Sequence, residues 1–185
     1  DPLWSRGLGD VYKRQIQSLP GTEVLLDIGM LSSTVVSMQE GQVEYAHTIP
    51  LGSDHFTGAL VQAGFQPDEA ERWKKTHSLV APKTEKDPFP AQRQALQAAA
   101  DSLVEAVYQV MTYDATEGTA QGINRLILSG GGSQLSGLKG YMGQTLGLPV
   151  ELAEPHPLLL GVNPDLFSRQ ALALALAMSD DEDIK

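Results

Sequence analysis

A short stretch near the start of the chain combines the residue types that hold phosphate groups and magnesium ions. Residues 23–36 read EVLLDIGMLSSTVV, in which Asp-Ile-Gly is followed by a cluster of hydroxyls. Gly29 lets the backbone approach an anion closely, and Ser32 and Ser33 add hydrogen-bond donors to those of the turn. Asp27 is a candidate magnesium residue that would act through water, since Mg²⁺ usually keeps several waters. The pattern fits a phosphate-binding turn, and it fits equally an ordinary hairpin with an Asp turn.

Three consecutive glycines form a second candidate site. Gly130, Gly131 and Gly132 follow the apolar run Leu-Ile-Leu and one serine, and they precede Ser133. Glycines adopt positive φ freely and place bare backbone against a nucleotide's ribose or α-phosphate, with Ser133 at or near the N-terminus of the next helix. The alternative is a flexible turn between a strand and a helix.

A pair of opposite charges on a predicted helix is the third candidate. Glu71 and Lys74 lie three residues apart in the segment AERWK, so they share one helical face. On the residues alone, the pair is a surface ion pair worth a few tenths of a kcal/mol.

Composition excludes several classes of function. The chain has 185 residues and a formal net charge of −10, which argues against nucleic acid as a partner. It has no cysteine, so a disulfide framework and a thiolate zinc site are both impossible. No apolar run approaches the length of a membrane span and no signal peptide is visible, so we expect a cytoplasmic protein without direct membrane insertion.

The order of apolar and polar runs predicts an α/β fold. It is β-β-β-α, a helical insertion, then α-β-α-β-α, which is typical of a ribonuclease-H-like lobe with a mixed five-stranded sheet. The opening strands form an antiparallel meander and the remainder is parallel. Later elements are expected at these positions: a helix at 67–77, a mobile surface loop at 78–90, a long helix at 90–113, a strand at 126–128, a helix at 136–147, a strand at 150–153 and a helix at 167–178.

The chain is expected to divide into four parts. Residues 1–15 (DPLWSRGLGDVYKRQ) have no periodicity and resemble translated sequencing-adaptor read-through, so we expect a non-native tail and a parent chain that continued upstream. The main lobe comprises residues 16–65 and 91–179, and a helical insertion occupies residues 66–90. An acidic tail follows at 180–185.

Taken together, the three motifs resemble the actin-like ATPase superfamily and, within it, the PilM-type pilus assembly proteins. The resemblance rests on the order of an Asp-Ile-Gly hairpin, an Ala-Glu-x-x-Lys helix and a Leu-Ser-Gly-Gly-Gly turn, and it covers most of residues 23–178. FtsA, the cell-division relative, shares the outline less closely.

This resemblance implies ATP and Mg²⁺ as cofactors. The hairpin then corresponds to the second phosphate loop with Asp27 at the metal, the charged helix contacts adenine or ribose, and the glycines line the adenosine pocket. The candidate cofactor-binding residues are Asp27, Gly29, Ser32, Ser33, Glu71, Lys74, Gly130, Gly131, Gly132 and Ser133.

The resemblance also implies a role and a partner. The parent protein is expected to act in type IV pilus assembly at the cytoplasmic face of the inner membrane, bound to the cytoplasmic tail of a PilN-type membrane protein. Members of this superfamily bind the nucleotide between two lobes, each of which carries an Asp-x-Gly hairpin. This chain has one such hairpin. We therefore expect it to bind ATP weakly and not to hydrolyse it. We also expect self-association through the apolar segment 167–178. Two alternatives remain, an FtsA-like division protein and a nucleotide-free scaffold.

Overall fold

The computed structural model describes residues 21–39, 42–81, 87–113 and 122–153. The predictions for the tails at 1–15 and 180–185 and for the helix at 167–178 lie outside these residues. The division into a lobe and an insertion stays a prediction.

One mixed sheet organises the described residues, as predicted. The strands are β1 (Thr22–Ile28), β2 (Ser33–Gln39), β3 (Gln42–Ile49), β4 (Ile123–Ser129) and β5 (Val150–Leu152). Their order is β3-β2-β1-β4-β5. β1 pairs antiparallel with β2 and parallel with β4, while β2 pairs antiparallel with β3 and β4 parallel with β5. The α/β prediction with an antiparallel meander and a parallel remainder is therefore confirmed.

Four α-helices accompany the sheet in the described part of the chain. They are α1 (Ser53–Gln62), α2 (Pro67–Thr76), α3 (Pro90–Tyr113) and α4 (Leu138–Leu146), and a one-turn 3-10 helix lies at Gly131–Gln134. None of these helices combines the length and the apolar character that a membrane span requires.

The main core lies between the sheet and the long helix α3. Val24, Leu26 and Ile28 of β1 alternate toward it and are fully buried. Leu96 and Leu103 of α3 are buried in the same cluster, as their helical spacing predicts. Leu25 is also buried, on the opposite face of β1, so this strand is covered on both sides as its unbroken apolar run indicates.

The prediction of a mobile surface loop at 78–90 is wrong for Leu79. Leu79 is fully buried, and its N–H donates to the Ser136 carbonyl at 2.7 Å. Gln97 of α3 donates to the Leu79 carbonyl at 3.2 Å. A single leucine among prolines and charges gives no periodic signal, so the sequence alone did not indicate its burial.

A hydrogen bond between Tyr141 and Asp101 ties α4 to α3, and it supplies a first prediction. The Tyr141 hydroxyl donates to the Asp101 carboxylate, which together with partial burial raises the pKa of Tyr141 to about 12. We expect Tyr141→Phe to lower the free energy of unfolding by about 1 kcal/mol at neutral pH, measured in urea.

The sign of the pH dependence follows from the direction of that shift. Because the folded-state pKa of Tyr141 is raised, the hydrogen bond contributes its full stabilisation of the fold below the unfolded-state pKa of about 10. This contribution is lost as the pH rises toward the folded-state pKa of about 12. Tyr108→Phe, at a tyrosine of α3 that is 55% exposed, is the control and should leave stability unchanged. Equal effects of the two changes would contradict the assignment.

Candidate functional site

The Asp-Ile-Gly motif and the glycine turn meet at one edge of the sheet. β1 and β4 run parallel and pair Asp27 with Ser129 in register. The Ser129 hydroxyl donates to Asp27 Oδ1 at 2.6 Å. Crevices at the carboxyl ends of such strands are the usual ligand sites of α/β sheets. The edge that carries Asp27 is therefore a candidate site.

The hairpin presents its two serines differently. Its turn is closed by the Gly29 N–H, which donates to the Ser32 carbonyl at 3.0 Å. Ser32 is exposed. Ser33 is fully buried, and its hydroxyl donates to the Leu51 carbonyl at 2.6 Å. In this arrangement Ser32 lies where a ligand can reach it, while Ser33 supports the hairpin from inside.

The start of α1 is docked on the hairpin. The N–H groups of Ser53 and Asp54 donate to the carbonyls of Gly29 and Met30, each at 2.9 Å. These two first-turn donors are therefore already satisfied and are not offered to an anion. The bonds join the hairpin and α1 into one unit.

The three glycines of the second motif have different tasks. Gly130 has φ +81°, and a Cβ there would lie 2.5 Å from the Ile28 carbonyl oxygen. A Cβ on Gly132 would lie 2.2 Å from Ile28 Cγ2, so these two glycines let the turn pack on the end of β1. A Cβ on Gly131 would meet nothing within 4 Å. Gly131 is the glycine that faces open space.

Ser133 lies inside the 3-10 helix and not at the start of α4. It is buried, and its hydroxyl donates to the Gly130 carbonyl at 2.7 Å. The prediction of one helix from residue 136 is corrected, because the 3-10 turn comes first and α4 begins only at Leu138. Gly137 precedes α4 in the left-handed conformation, with φ 86°, which delays that start.

A cavity of about 220 Å³ brings the charged helix and the glycine turn together. It lies between α1, α2 and the 3-10 helix. Its lining residues are Ser53, Phe56, Glu71, Lys74, Lys75, Gly131, Gly132, Gln134 and Leu135. Four predicted site residues are thus neighbours, namely Glu71, Lys74, Gly131 and Gly132. The others, Asp27, Gly29, Ser32, Ser33, Gly130 and Ser133, are not in this lining.

The Glu71–Lys74 pair is more than an isolated surface ion pair. Lys74 Nζ lies 2.6 Å from Glu71 Oε1, and the Lys74 side chain is only 11% exposed. The same ammonium donates to Thr57 Oγ1 at 2.7 Å and to the Ser53 carbonyl at 3.2 Å. The Thr57 hydroxyl donates in turn to Glu71 Oε1. The pair therefore belongs to a network that links α1 to α2.

The network sets the protonation state of Glu71. Burial raises the pKa of this carboxyl, but hydrogen bonds from Lys74 and Thr57 and the charges of Lys74 and Lys75 outweigh burial and hold the pKa below its usual range. Glu71 is therefore an ionised hydrogen-bond acceptor at neutral pH.

A second prediction concerns this titration. The carboxyl of Glu71, followed by NMR, should titrate below 4.5 in the folded chain, and Lys74→Met should move its pKa upward. Since the folded-state pKa is depressed, the network stabilises the fold above the ordinary carboxyl pKa and loses this effect as the pH falls through the folded-state value. Lys139→Met is the control and should leave the Glu71 pKa in place. An unchanged Glu71 pKa in Lys74→Met would contradict the network.

Sequence reasoning missed the contribution of α1 to this cavity. Ser53, Phe56 and Thr57 lie 14 to 18 positions before Glu71, and no spacing signals that α1 packs against α2.

Within the described ranges, no group of three or more His, Asp or Glu residues can hold a metal ion. Asp27, whose Oδ1 accepts a hydrogen bond from the Ser129 hydroxyl, has a carboxylate that fits a water-mediated contact with Mg²⁺.

Comparison with known proteins identifies related families. The family model of the cell division protein FtsA matches residues 24–177. No curated protein matches the chain.

Solved structures show the same fold. The PilM-PilN type IV pilus biogenesis complex is similar at 20% identity with a TM-score of 0.73, over 95% of this chain and 51% of that one. MreB5 of Spiroplasma citri bound to AMPPNP is similar at 16% identity with a TM-score of 0.66, over 95% and 59%. An archaeal actin homologue in complex with ADP is 18% identical with a TM-score of 0.62, over 98% of this chain and 57% of that one. The fold is thus that of an actin-like lobe, and the chain spans about half the length of these relatives.

Proposed function

Because the chain belongs to the family of the cell division protein FtsA, we propose that it is the nucleotide-binding C-terminal lobe of an actin-like protein that binds ATP with Mg²⁺. The observation that carries this proposal is the cavity between α2 and the glycine turn. It joins a carboxylate, an ammonium and bare glycine backbone. Two similar structures contain AMPPNP and ADP, which supports an adenine nucleotide as the ligand.

Each motif then has a distinct task. The adenosine would lie in the cavity against Gly131, where no side chain intrudes. The phosphates would extend toward the Gly29–Ser32 turn, where the exposed Ser32 hydroxyl can donate a hydrogen bond. Asp27, held by Ser129, would orient water around Mg²⁺. Mg²⁺ supplies charge neutralisation between the phosphates when it is bound.

Hydrolysis is proposed only for the whole protein. Catalysis of phosphoryl transfer depends on groups that converge on the phosphates from several sides. The sequence contains a single Asp-x-Gly hairpin of this kind, so this lobe supplies one side of the site. We therefore expect the chain alone to bind ATP weakly, in the millimolar range, and not to hydrolyse it.

The test compares two glycines that both face open space. Gly131→Val should fill the cavity and lower the affinity for Mg·ATP at least tenfold in a saturation-transfer NMR titration. A Cβ at Gly140 of α4 also meets nothing within 4 Å, so Gly140→Val is the matched control and should bind like wild type. Equal affinity in wild type and Gly131→Val, or no binding by the folded wild type at millimolar Mg·ATP, would contradict the proposal.

For the cellular role, we propose type IV pilus assembly. Support comes from the similarity to the PilM-PilN complex and from the order of the three motifs. The parent protein would lie in the cytoplasm and reach the inner membrane through a PilN-type partner. A role in cell division is the second candidate, and the FtsA family model favours it. Titrating the full-length parent with the cytoplasmic-tail peptide of a PilN-type protein separates them, since only the pilus role predicts saturable binding.

A further inference from the structure

The strand β3 forms one edge of the sheet, and no strand in the described part of the chain pairs with its outer side. Natural edge strands are usually protected by lysine, by proline or by a short length. β3 has eight residues, and residues 45–49 contain no Asp, Glu, Lys, Arg or Pro. Its bulge lies at Glu44, before this stretch, and Ala46, His47 and Thr48 are exposed. β3 therefore offers an unprotected edge to an additional strand.

A second cavity, of about 520 Å³, runs beside this edge, between residues 45–50 and α3. Its wall on α3 contains Ala106, Gln109 and Val110. Ala106 and Val110 are four residues apart, so they share one face of the helix. Gln109 is exposed on the same wall. The cavity thus places an apolar helix face next to the open backbone edge of β3.

A third cavity, of about 340 Å³, continues from the second one past Pro50, which lines both. It lies between the tip of the first hairpin and α1, and its lining includes Leu31, Asp54, His55 and Ala59. Leu31 is an apolar residue that is 71% exposed. The two cavities together form one continuous surface, which we call the edge groove.

The charge of the edge groove favours one kind of occupant. Among the described residues that line it, Asp54 is the one acidic residue, and none is Lys or Arg. The whole chain carries a formal net charge of −10. A second copy of this acidic chain would be repelled, whereas a basic segment would be attracted.

We propose that the edge groove binds an extended segment of a partner protein by strand addition, and that this segment alternates apolar with polar residues and carries Lys or Arg. Its backbone would form hydrogen bonds with the outer edge of β3, and its apolar side chains would enter between β3 and α3. A basic residue would pair with Asp54. Residues 45–50 span about 20 Å as a strand, which matches a segment of about six residues. The edge groove shares no lining residue with the proposed nucleotide cavity, so this inference does not rest on that site.

The probe is a library of random heptapeptides displayed on phage and selected on the folded wild-type chain. Selection should enrich peptides that alternate apolar with polar residues and that contain Lys or Arg but neither Asp nor Glu. The most enriched peptide is then synthesised and titrated into the labelled chain. At saturation, hydrogen exchange of alternate amides within residues 45–49 should slow at least tenfold, because strand addition pairs the outer edge of β3.

Three substitutions locate the binding of this peptide. Gln109→Trp places a large ring in the edge groove and should weaken binding at least tenfold. Ser102→Trp places the same ring at an exposed position of α3 outside the lining and should bind like wild type. Asp54→Asn removes the acidic residue of the lining and should weaken binding about threefold, as expected for an exposed ion pair.

Several results would overturn the inference. They are no enrichment, enrichment of acidic peptides, no change in exchange at residues 45–49, or equal affinity of wild type and either Gln109→Trp or Asp54→Asn. Protection of this edge without peptide would show that another part of this chain or a second copy occupies it, which would also contradict the inference. No nucleotide is present in these experiments, so their failure leaves the proposed nucleotide site unaffected.

Discussion

Arg93→Met is expected to lower the free energy of unfolding by about 2–3 kcal/mol, because it removes the charge-assisted hydrogen bonds of a buried guanidinium. Arg93 is 6% exposed. Its Nε lies 2.6 Å from Asp87 Oδ2, its Nη1 donates to the Ser78 carbonyl, and its guanidinium lies 5.3 Å from the ring centroid of Trp73. One side chain of α3 thereby holds both ends of the segment between α2 and α3.

The measurement is urea unfolding at neutral pH, with the midpoint and slope fitted separately. Arg72→Met, at an exposed arginine of α2, is the matched control and should change stability by less than about 0.5 kcal/mol. The hydrogen bonds from Arg93 and from the Phe89 N–H hold the pKa of Asp87 below its usual range. The ion pair should therefore persist at neutral pH and weaken only in acid. Equal stability of Arg93→Met and wild type would show that the segment is held by other contacts.

Gly130→Ala should be at least as damaging, at about 3 kcal/mol or more. Gly130 has φ 81° and ψ 167°, a region that is essentially restricted to glycine and costs other residues about 1–3 kcal/mol. The added Cβ would also lie 2.5 Å from the backbone oxygen of Ile28, which β1 cannot move without losing its register. The change should therefore loosen the contact between β1 and the glycine turn.

Two matched substitutions test the reason for this loss. Gly131→Ala should be nearly neutral, since its Cβ meets open space. Gly140→Ala, inside α4 and also in open space, should stabilise the chain by roughly 0.5–1 kcal/mol through helix propensity. The free energy of unfolding of the three variants is measured by thermal or urea unfolding and compared with that of wild type. Similar losses at Gly130 and Gly131 would show that the conformation and contacts of Gly130 are not the cause.

Much of the fold could be predicted because its signals are local. The short apolar run of β1 predicted a buried strand, and the apolar stripe on α3 predicted its extent of 90–113. The break at Gly130 predicted the turn. The same local signals missed the 3-10 helix, whose four residues are too short to show a period.

The candidate site could be predicted only in part, because its geometry depends on packing. The glycine motif and the Glu71–Lys74 pair were identified from the sequence, and they line one cavity. The hydrogen bonds of Thr57 with Glu71 and Lys74 were not identified from the sequence, because they form where α1 packs against α2. The resemblance to PilM rested on the order of the three motifs. The family model that matches residues 24–177 is that of the cell division protein FtsA, while the PilM-PilN complex is similar in fold at 20% identity.

The most direct test of the account is to map where an adenine nucleotide binds. Amide chemical shifts of the labelled chain are recorded during titration with Mg·ADP. We predict that the largest changes occur at Glu71, Lys74, Gly131 and Gly132, with smaller ones at Gly29. A second cavity of about 520 Å³, between β3 and α3, provides an internal control. Changes confined to that second cavity, or no changes at millimolar Mg·ADP, would contradict the account.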